Sequence, residues 1–513
     1  MTIVMAAASA RRGLFGRCAP RRCRWLYQFV FASRRLCGLI GVALAFLWTG
    51  SCRSDLTPPK RGGTATLQVV ATAVPVTVNN LVVDVTAADI PSPLIFNIIA
   101  SAGTASGMIM VPTGSERVLM IHAYDASGIE THRGSMTVDV REGGNPSVSI
   151  SVRALQGQQP IDVRIESLVV TVTPGSATVR VDQTATLRVA LKTASGDPVT
   201  FSPTDIRWAT LQPAIATVGT DGTVLGVSAG PTTVVAVYAG VAGAASITVN
   251  AAPTLLAAGD VAQCSTNGDE QTAALLDTLA GTVAMLGDGA YPDGTIDQYN
   301  NCYNPTWGRA KARTMPVPGN HEYHTAGATG YFGYFGAAAG DPTKGYYSYN
   351  LGAWHLIALN SQISHSETSA QVVWLKSDLA ASAAKCVLAY WHMPRFSSGT
   401  THGNDTTYGP FWRALYNANG DVVLTGHEHD YERFAPQTPV GIADPVRGIR
   451  AMVVGTGGGP FEGPFSTTPS ATSEVRIGQR WGVLKLELRE ASYRWWFIAT
   501  DGSVLDSGST ACH

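Results

Sequence analysis

The chain has 513 residues, with 36 basic and 37 acidic side chains and a net charge of −1. That balance offers no field for nucleic acid or for a strongly charged partner, and the length leaves room for two or three domains. With 54 glycines and only 14% charged residues, the composition favours strands and turns over long helices and suits a secreted protein.

The first fifty residues stand apart. Eight arginines fall between Arg11 and Arg35 without an acidic residue, and Leu36 to Trp48 is almost wholly apolar. A charged segment followed by a short apolar one predicts an export signal, too short for a comfortable membrane span. Thr49-Gly-Ser-Cys52 resembles a lipoprotein cleavage box, with Thr49 where leucine is usual, so Cys52 is the candidate for a lipid anchor. Ser33-Arg-Arg35 faintly resembles a twin-arginine signal. The expected destination is periplasmic, outer-surface or secreted. Residues 1–52 are thus read as a leader and 53–63, a polar proline-containing run, as a linker.

From residue 64 to 155, short β-rich runs separated by turn residues predict an all-β sandwich. They are Ala65–Val70, Leu81–Val85, Arg117–His122 and Ser147–Val152. A linker at Gln156-Gly-Gln-Gln-Pro160 leads to a second β unit, 162–251. Its later part reads Ile215-Ala-Thr-Val218-Gly-Thr-Asp-Gly-Thr-Val224, then Gly226, Gly230 and Thr233-Val-Val-Ala236. This resembles the immunoglobulin-like domains of bacterial adhesins and exported enzymes, which implies a spacer or cell-surface contact and no catalytic residues.

After Ala252-Pro253 the rhythm changes. Apolar strand candidates at Leu255–Ala258, Val283–Leu286, Trp354–Leu359, Cys386–Trp391 and Val422–Leu424 alternate with helical patterns at Gln271–Leu279, Ser369–Ala381 and Tyr408–Asn417. Alternation of this kind predicts a layered α/β domain over 254–513, completed by strands at Met452–Val454, Val483–Leu488 and Tyr493–Ile498. Four cysteines lie here. Cys264 and Cys302 flank the loops after two neighbouring strands and are paired on that ground, which leaves Cys386 with Cys512. The spacing equally accommodates buried free thiols.

Five strand ends finish in residues able to hold a metal. They are Gly259-Asp260, Gly287-Asp288-Gly-Ala-Tyr291, Gly319-Asn320-His321-Glu322, Trp391-His392 and Gly426-His427-Glu-His429. Any one alone is a turn, a helix cap or a core histidine. Together they supply two carboxylates, a phenol, an amide oxygen and three imidazoles, enough for two ions that share one ligand. His324 and His365 are read as ordinary loop residues. Thr456-Gly-Gly-Gly459, without a following Lys-Ser/Thr, is read as a turn near the site mouth.

In this order the five motifs resemble those of calcineurin-like metallophosphoesterases, over about 255–500. Tyr291, the flanking Glu428 and Asp430-Tyr431-Glu432-Arg433, and Ala262 in place of a first-motif histidine resemble the purple acid phosphatase branch. The resemblance implies a four-layer α/β domain, which stands behind the two β-sandwiches, of immunoglobulin-like type, read above. It implies one ion on Asp260, Tyr291 and His429, another on Asn320, His392 and His427, and Asp288 bridging. The ions would be Fe3+ with Fe2+, Zn2+ or Mn2+.

His321 would then be a general acid, or steady the phosphoryl group, and His402 a second substrate-binding histidine. Two ions about 3.5–4 Å apart bring a bound water's pKa down toward neutrality and so provide a hydroxide nucleophile. The implied function is hydrolysis of small phosphate monoesters in an exported enzyme. The alternatives are a phosphodiesterase using the same site and a surface adhesin with an inactive phosphoesterase domain.

Overall fold

The computed structural model describes residues 63–513. The leader, most of the linker and the candidate lipidation site Cys52 lie outside the described residues. Among the described residues no helix is long and apolar enough to cross a membrane.

The first β unit is built on period-two alternation. In Gly114–Asp125 the side chains of Leu119, Ile121 and Ala123 are buried while their neighbours are not, so one face of the strand lines a core. Thr64–Thr72 pairs with Thr104–Pro112 on one side and with Ile161–Thr173 on the other. Val78–Thr86 pairs with Leu94–Ser101 and Gly114–Asp125. Ala100↔Ala105 joins Leu94–Ser101 to Thr104–Pro112. Glu130–Val140, paired with Gly114–Asp125, meets Val148–Ala154, paired with Ile161–Thr173, at His132↔Ala154. The strands thus close into one continuous sheet instead of the two separate sheets expected of a sandwich. The result protects strand edges that would otherwise invite foreign pairing.

The second unit has its own core of Val179, Ala216, Val224, Val234, Ala236 and Ile247. It shares a strand with the first. In Ile161–Thr173, residues Asp162 to Ser167 pair with Thr64–Thr72, and Leu168 to Thr173 pair with Arg188–Thr193. The two β units therefore meet inside one strand at 167/168, and the run 156–160 read as a linker leads into that strand. Backbone continuity of this kind leaves no mark in hydrophobic patterning.

The C-terminal domain has two sheets. In one, Thr314–Val317, Thr282–Leu286 and Thr254–Ala258 run parallel, and Gly482–Leu488, Ser492–Ala499 and Val504–Ala511 continue antiparallel. In the other, Trp354–Ala358, Cys386–Tyr390, Val422–Thr425 and Arg450–Val454 are parallel. Tyr347–Leu351 and Tyr431–Phe434 flank them antiparallel, and Ser473–Ile477 pairs antiparallel with Tyr431–Phe434 at the edge. Leu256, Met285, Leu356, Leu388 and Leu424 share one core. A second core packs Val387, Ala389 and Val423 against Val372 and Leu375 of the helix Ala370–Ala381 and Phe411 and Leu415 of Gly409–Asn417. Apart from Thr254 and Thr282 at their starts, these parallel strands are buried throughout, which is why they read as continuous apolar runs.

Register decides where the chemistry can sit. Ala258 lies opposite Met285, and Leu286 opposite Val317, so the carboxyl ends of three strands finish side by side. Tyr390 opposite Leu424 does the same in the other sheet. Open parallel sheets bind ligands at such ends.

The structure pairs Cys264 with Cys302 and Cys386 with Cys512, the latter across 126 residues of chain. The second bridge ties a central strand to the C-terminus, where Cys512 N–H also donates to Ala491 O. Replacing Cys386 and Cys512 together by serine should lower the unfolding free energy of this domain by about 2–4 kcal/mol. An unchanged urea midpoint relative to the oxidised protein would contradict this.

Candidate metal centre

Asp260, Asp288 and His427 each follow a glycine at a strand end, and each has positive φ, at 60°, 50° and 74°. Such backbone costs a non-glycine residue about 1–3 kcal/mol and persists where its surroundings over-determine it. Here hydrogen bonds do so. Asp260 N–H donates to Gly287 O at 3.0 Å and Val261 N–H to Asp288 O at 2.9 Å, while His427 N–H donates to Asp260 Oδ2 at 2.8 Å. Gly319 admits the approach of the neighbouring loop, since a Cβ there would stand 2.1 Å from Asp288 Oδ1.

Four of the expected ligands converge on one point. His392 Nε2 lies 3.0 Å from Asn320 Oδ1, 3.2 Å from Asp288 Oδ2 and 3.2 Å from His427 Nδ1. Its other nitrogen, Nδ1, lies 2.8 Å from Leu286 O, which fixes the ring and leaves Nε2 to face the cluster, as ligating histidines are held. Oxygen and nitrogen atoms of Asn320, Asp288 and His427 thus gather within 3.2 Å of His392 Nε2. That donor chemistry fits a cation.

The other three expected ligands form a second group. Tyr291 Oη lies 3.0 Å from Asp260 Oδ1 and 3.0 Å from His429 Nε2. His429 turns its Nδ1 to Pro460 O, so its Nε2 likewise faces inward. Asp288 Oδ2 lies 3.4 Å from Tyr291 Oη as well as 3.2 Å from His392 Nε2. One carboxylate oxygen therefore faces both groups, and the seven residues fit two ions with a shared ligand.

His321 and His402 stand at the rim. His321 directs Nδ1 to Pro292 O and brings Nε2 to 3.8 Å from Asp288 Oδ2, with its side chain 27% exposed. The His402 ring lies over His427, with centroids 3.8 Å apart, and its Nε2 meets Glu462 Oε1 at 3.4 Å. The hydrogen bond to Glu462 pushes the His402 imidazole above its usual range. These residues line a cleft of 310 Å³ together with Gln263, Pro292, Pro460 and Glu462. A larger open groove of 610 Å³ runs past His355, Asp378 and Lys385, away from the ligand set.

Three supporting residues were not assigned roles from sequence. Glu322 is fully buried and accepts N–H groups of Asp288, Gly289 and Gly319 at 2.9, 2.9 and 2.7 Å, with Tyr299 Oη at 2.8 Å. It holds the Asp288 turn in place. Its position in Gly-Asn-His-Glu was a signal, but only the fold shows what it grips. Pro460 and Glu462 belong to the segment after Thr456-Gly-Gly-Gly459, and glycine-rich segments do not announce which carbonyl will face a ligand. His324 lies beside His321, ring centroids 4.7 Å apart, with its side chain half exposed. His365 stacks on Tyr408 away from the cleft.

Residues 253–431 match the family model of calcineurin-like phosphoesterases, and 169–249 that of bacterial Ig-like domains, group 2. Purple acid phosphatase 15 of Arabidopsis thaliana is 28% identical over 187 residues, covering 29% of this chain and 35% of that protein. Purple acid phosphatase 22 of the same plant is 33% identical over 139 residues, 26% of this chain and 31% of its own. The chain spans about a third of the length of the curated relatives it matches. Among solved structures, a purple acid phosphatase from yellow lupin (Lupinus luteus) seeds aligns with a TM-score of 0.42 and 14% identity, over 88% of this chain and 91% of that one.

Without a cation the ligands hold protons in its place. Burial opposes charge on His392, but Asp288 and Asp260 outweigh it and push the imidazole up to about 10. Burial is likewise outweighed at His429, where Asp260 pushes it up to about 9. Tyr291 is held well above the usual phenol range by burial and by the two aspartates. Burial and the charge on His392 hold His427 down to about 2. At neutral pH a cation must displace protons from His392, His429 and Tyr291. Metal uptake should release about two to three protons and weaken as pH falls. Calorimetric titration in buffers of different ionisation enthalpy measures the release, and uptake without any would contradict the arrangement.

Proposed function

We propose that the calcineurin-like metallophosphoesterase domain, which this chain carries behind a bacterial Ig-like domain, hydrolyses phosphate monoesters at a dinuclear metal centre. The observation that carries the reading is the single oxygen, Asp288 Oδ2, lying 3.4 Å from Tyr291 Oη and 3.2 Å from His392 Nε2. Asp260, Tyr291 and His429 would hold one ion, and Asn320, His392 and His427 the other. A phenolate with carboxylates suits ferric iron, and imidazoles with an amide oxygen suit a divalent Fe, Zn or Mn. The two ions would supply an activated water and offset charge on the phosphoryl oxygens.

The chain's own residues supply the rest. His321 has its Nδ1 turned to Pro292 O, so its Nε2, beside Asp288 and open to the cleft, can hold a proton for the departing alkoxide. His402, kept toward the cationic form by Glu462, can meet the anionic phosphoryl group. The cleft is small and lined mostly by polar side chains, with Pro292 and Pro460 among them, which suits a compact phosphate ester. The two facing sheets with helices packed beside them support the four-layer reading, and the all-β make-up of the first unit is what supports reading it as a second immunoglobulin-like domain. We read the whole as an exported enzyme, anchored by lipid at Cys52 or free, whose β units hold the phosphatase away from the cell surface or contact it.

The direct test is release of p-nitrophenol from its phosphate by metal-loaded protein, abolished by chelation. Absence of turnover in protein carrying two ions per chain would reject the reading. His321→Ala should keep its metal but lose about 10²–10⁴-fold in rate on alkyl phosphates, and less on p-nitrophenyl phosphate, whose leaving group needs no proton. Equal losses on both would refute the acid role. If the tyrosine-bearing position takes ferric iron, the loaded protein should show a visible charge-transfer band. Tyr291→Phe should bleach that band and keep most of the metal, and an unaltered band would remove Tyr291 from the ligand set.

A further inference from the structure

Between His427 and His429 stands a carboxylate that the chemistry above does not use. Glu428 is 2% exposed, and a buried carboxylate is costly unless its oxygens find donors. The donors come from one neighbouring loop. Glu428 Oε1 accepts the N–H of His402 at 2.7 Å and that of Gly403 at 2.6 Å. The loop is shaped to receive it, because a Cβ at Gly399 would fall 2.3 Å from the Glu428 carboxyl carbon. Elsewhere the loop is tied by Thr400 Oγ1 donating to Pro464 O at 2.6 Å and by Gly463 N–H donating to Thr401 Oγ1 at 3.2 Å. Those bonds leave the backbone at 402 and 403 to Glu428. The imidazole so placed lies 3.8 Å above the His427 ring and meets Glu462 at 3.4 Å.

We infer that Glu428 is a positioning residue for His402, fixing the backbone at 402–403 so that the imidazole faces the phosphoryl oxygens of a bound ester. The inference rests on the phosphatase reading for what His402 does, and on geometry for what Glu428 does. A carboxylate on the same turn as two ligand histidines could instead serve only to hold that turn. The two roles differ in what they change. A residue that acts through His402 affects binding of the phosphate group and leaves the metal in place. One that holds the turn loses metal and lowers kcat whether or not His402 is present.

The test uses the metal-loaded full chain with His402→Ala, Glu428→Ala and the double variant, alongside Glu428→Gln. Glu428→Met, which keeps the volume and removes the acceptor, is the second variant should Glu428→Ala fold poorly. Metal content and thermal melting establish that each is loaded and folded. Turnover of p-nitrophenyl phosphate gives KM and kcat, and calorimetry gives the affinity for inorganic phosphate. His402→Ala and Glu428→Ala should each raise KM and weaken phosphate binding roughly tenfold, the usual worth of a hydrogen bond to a charged group. Glu428→Gln, whose amide oxygen still accepts N–H, should recover most of that. The double variant should match His402→Ala alone, since two residues acting as one unit do not add. Wild-type phosphate affinity in Glu428→Ala or in His402→Ala would overturn the inference, and so would losses that multiply in the double variant. Phosphate binding reports on Glu428 even if turnover is absent, and absent turnover would sink the phosphatase reading alone.

Discussion

One carboxylate, Asp288, faces two groups of ligands, and the rest of the domain serves to hold it there. The residue has positive φ and is 1% exposed, a place that an aspartate keeps only when neighbours over-determine it. Glu322 grips its N–H, the Asp260 loop grips its carbonyl, and His321 N–H donates to its Oδ1 at 3.0 Å. With Oδ1 fixed, Oδ2 is left to look into the cleft. Burial pushes its carboxyl upward, but His392 and His321 outweigh it and hold it well below the usual range. The charge that a shared ligand needs is therefore present before any cation arrives.

Strand register converts this local arrangement into a site. Parallel strands with buried faces end in line, so residues 28 positions apart, Asp260 and Asp288, emerge as neighbours. The antiparallel strands and the Cys386–Cys512 bridge carry no ligand and brace the sheets that do. The loops 398–403 and 457–466 close the wall of the cleft. Ser466 N–H donates to Ser398 O at 2.7 Å, and Pro460 and Glu462 reach the histidines from that second loop.

Much of this was legible in the sequence because the ligands sit on short motifs at the ends of continuous apolar runs. Leu255–Ala258, Val283–Leu286 and Cys386–Trp391 read as buried strands, and the structure has strands there, shifted by one residue at an end. All seven expected ligands come together. Thr314–Val317 is implied only by the motif that follows it and has no apolar run of its own, because its four residues include Pro316. Tyr347–Leu351 and Ser473–Ile477 alternate polar with half-buried residues at sheet edges and lack a buried run. In the first β unit, Leu94–Ser101 and Glu130–Val140 expose many of their side chains and lack a buried run for the same reason. The grip of Glu322 on three N–H groups, and of Glu428 on two, depends on which loops the fold brings together. No spacing within either motif encodes that.

The central claim is that Asp288 is shared between two ions. The most direct measurement is elemental analysis of the purified chain beside its Asp288→Asn variant. An amide keeps the shape but loses the charge that a shared ligand supplies. The account predicts two metal ions per wild-type chain, with both depleted in the variant while the β units remain folded. Full retention of two ions in Asp288→Asn, or a single ion in the wild-type chain, would contradict it.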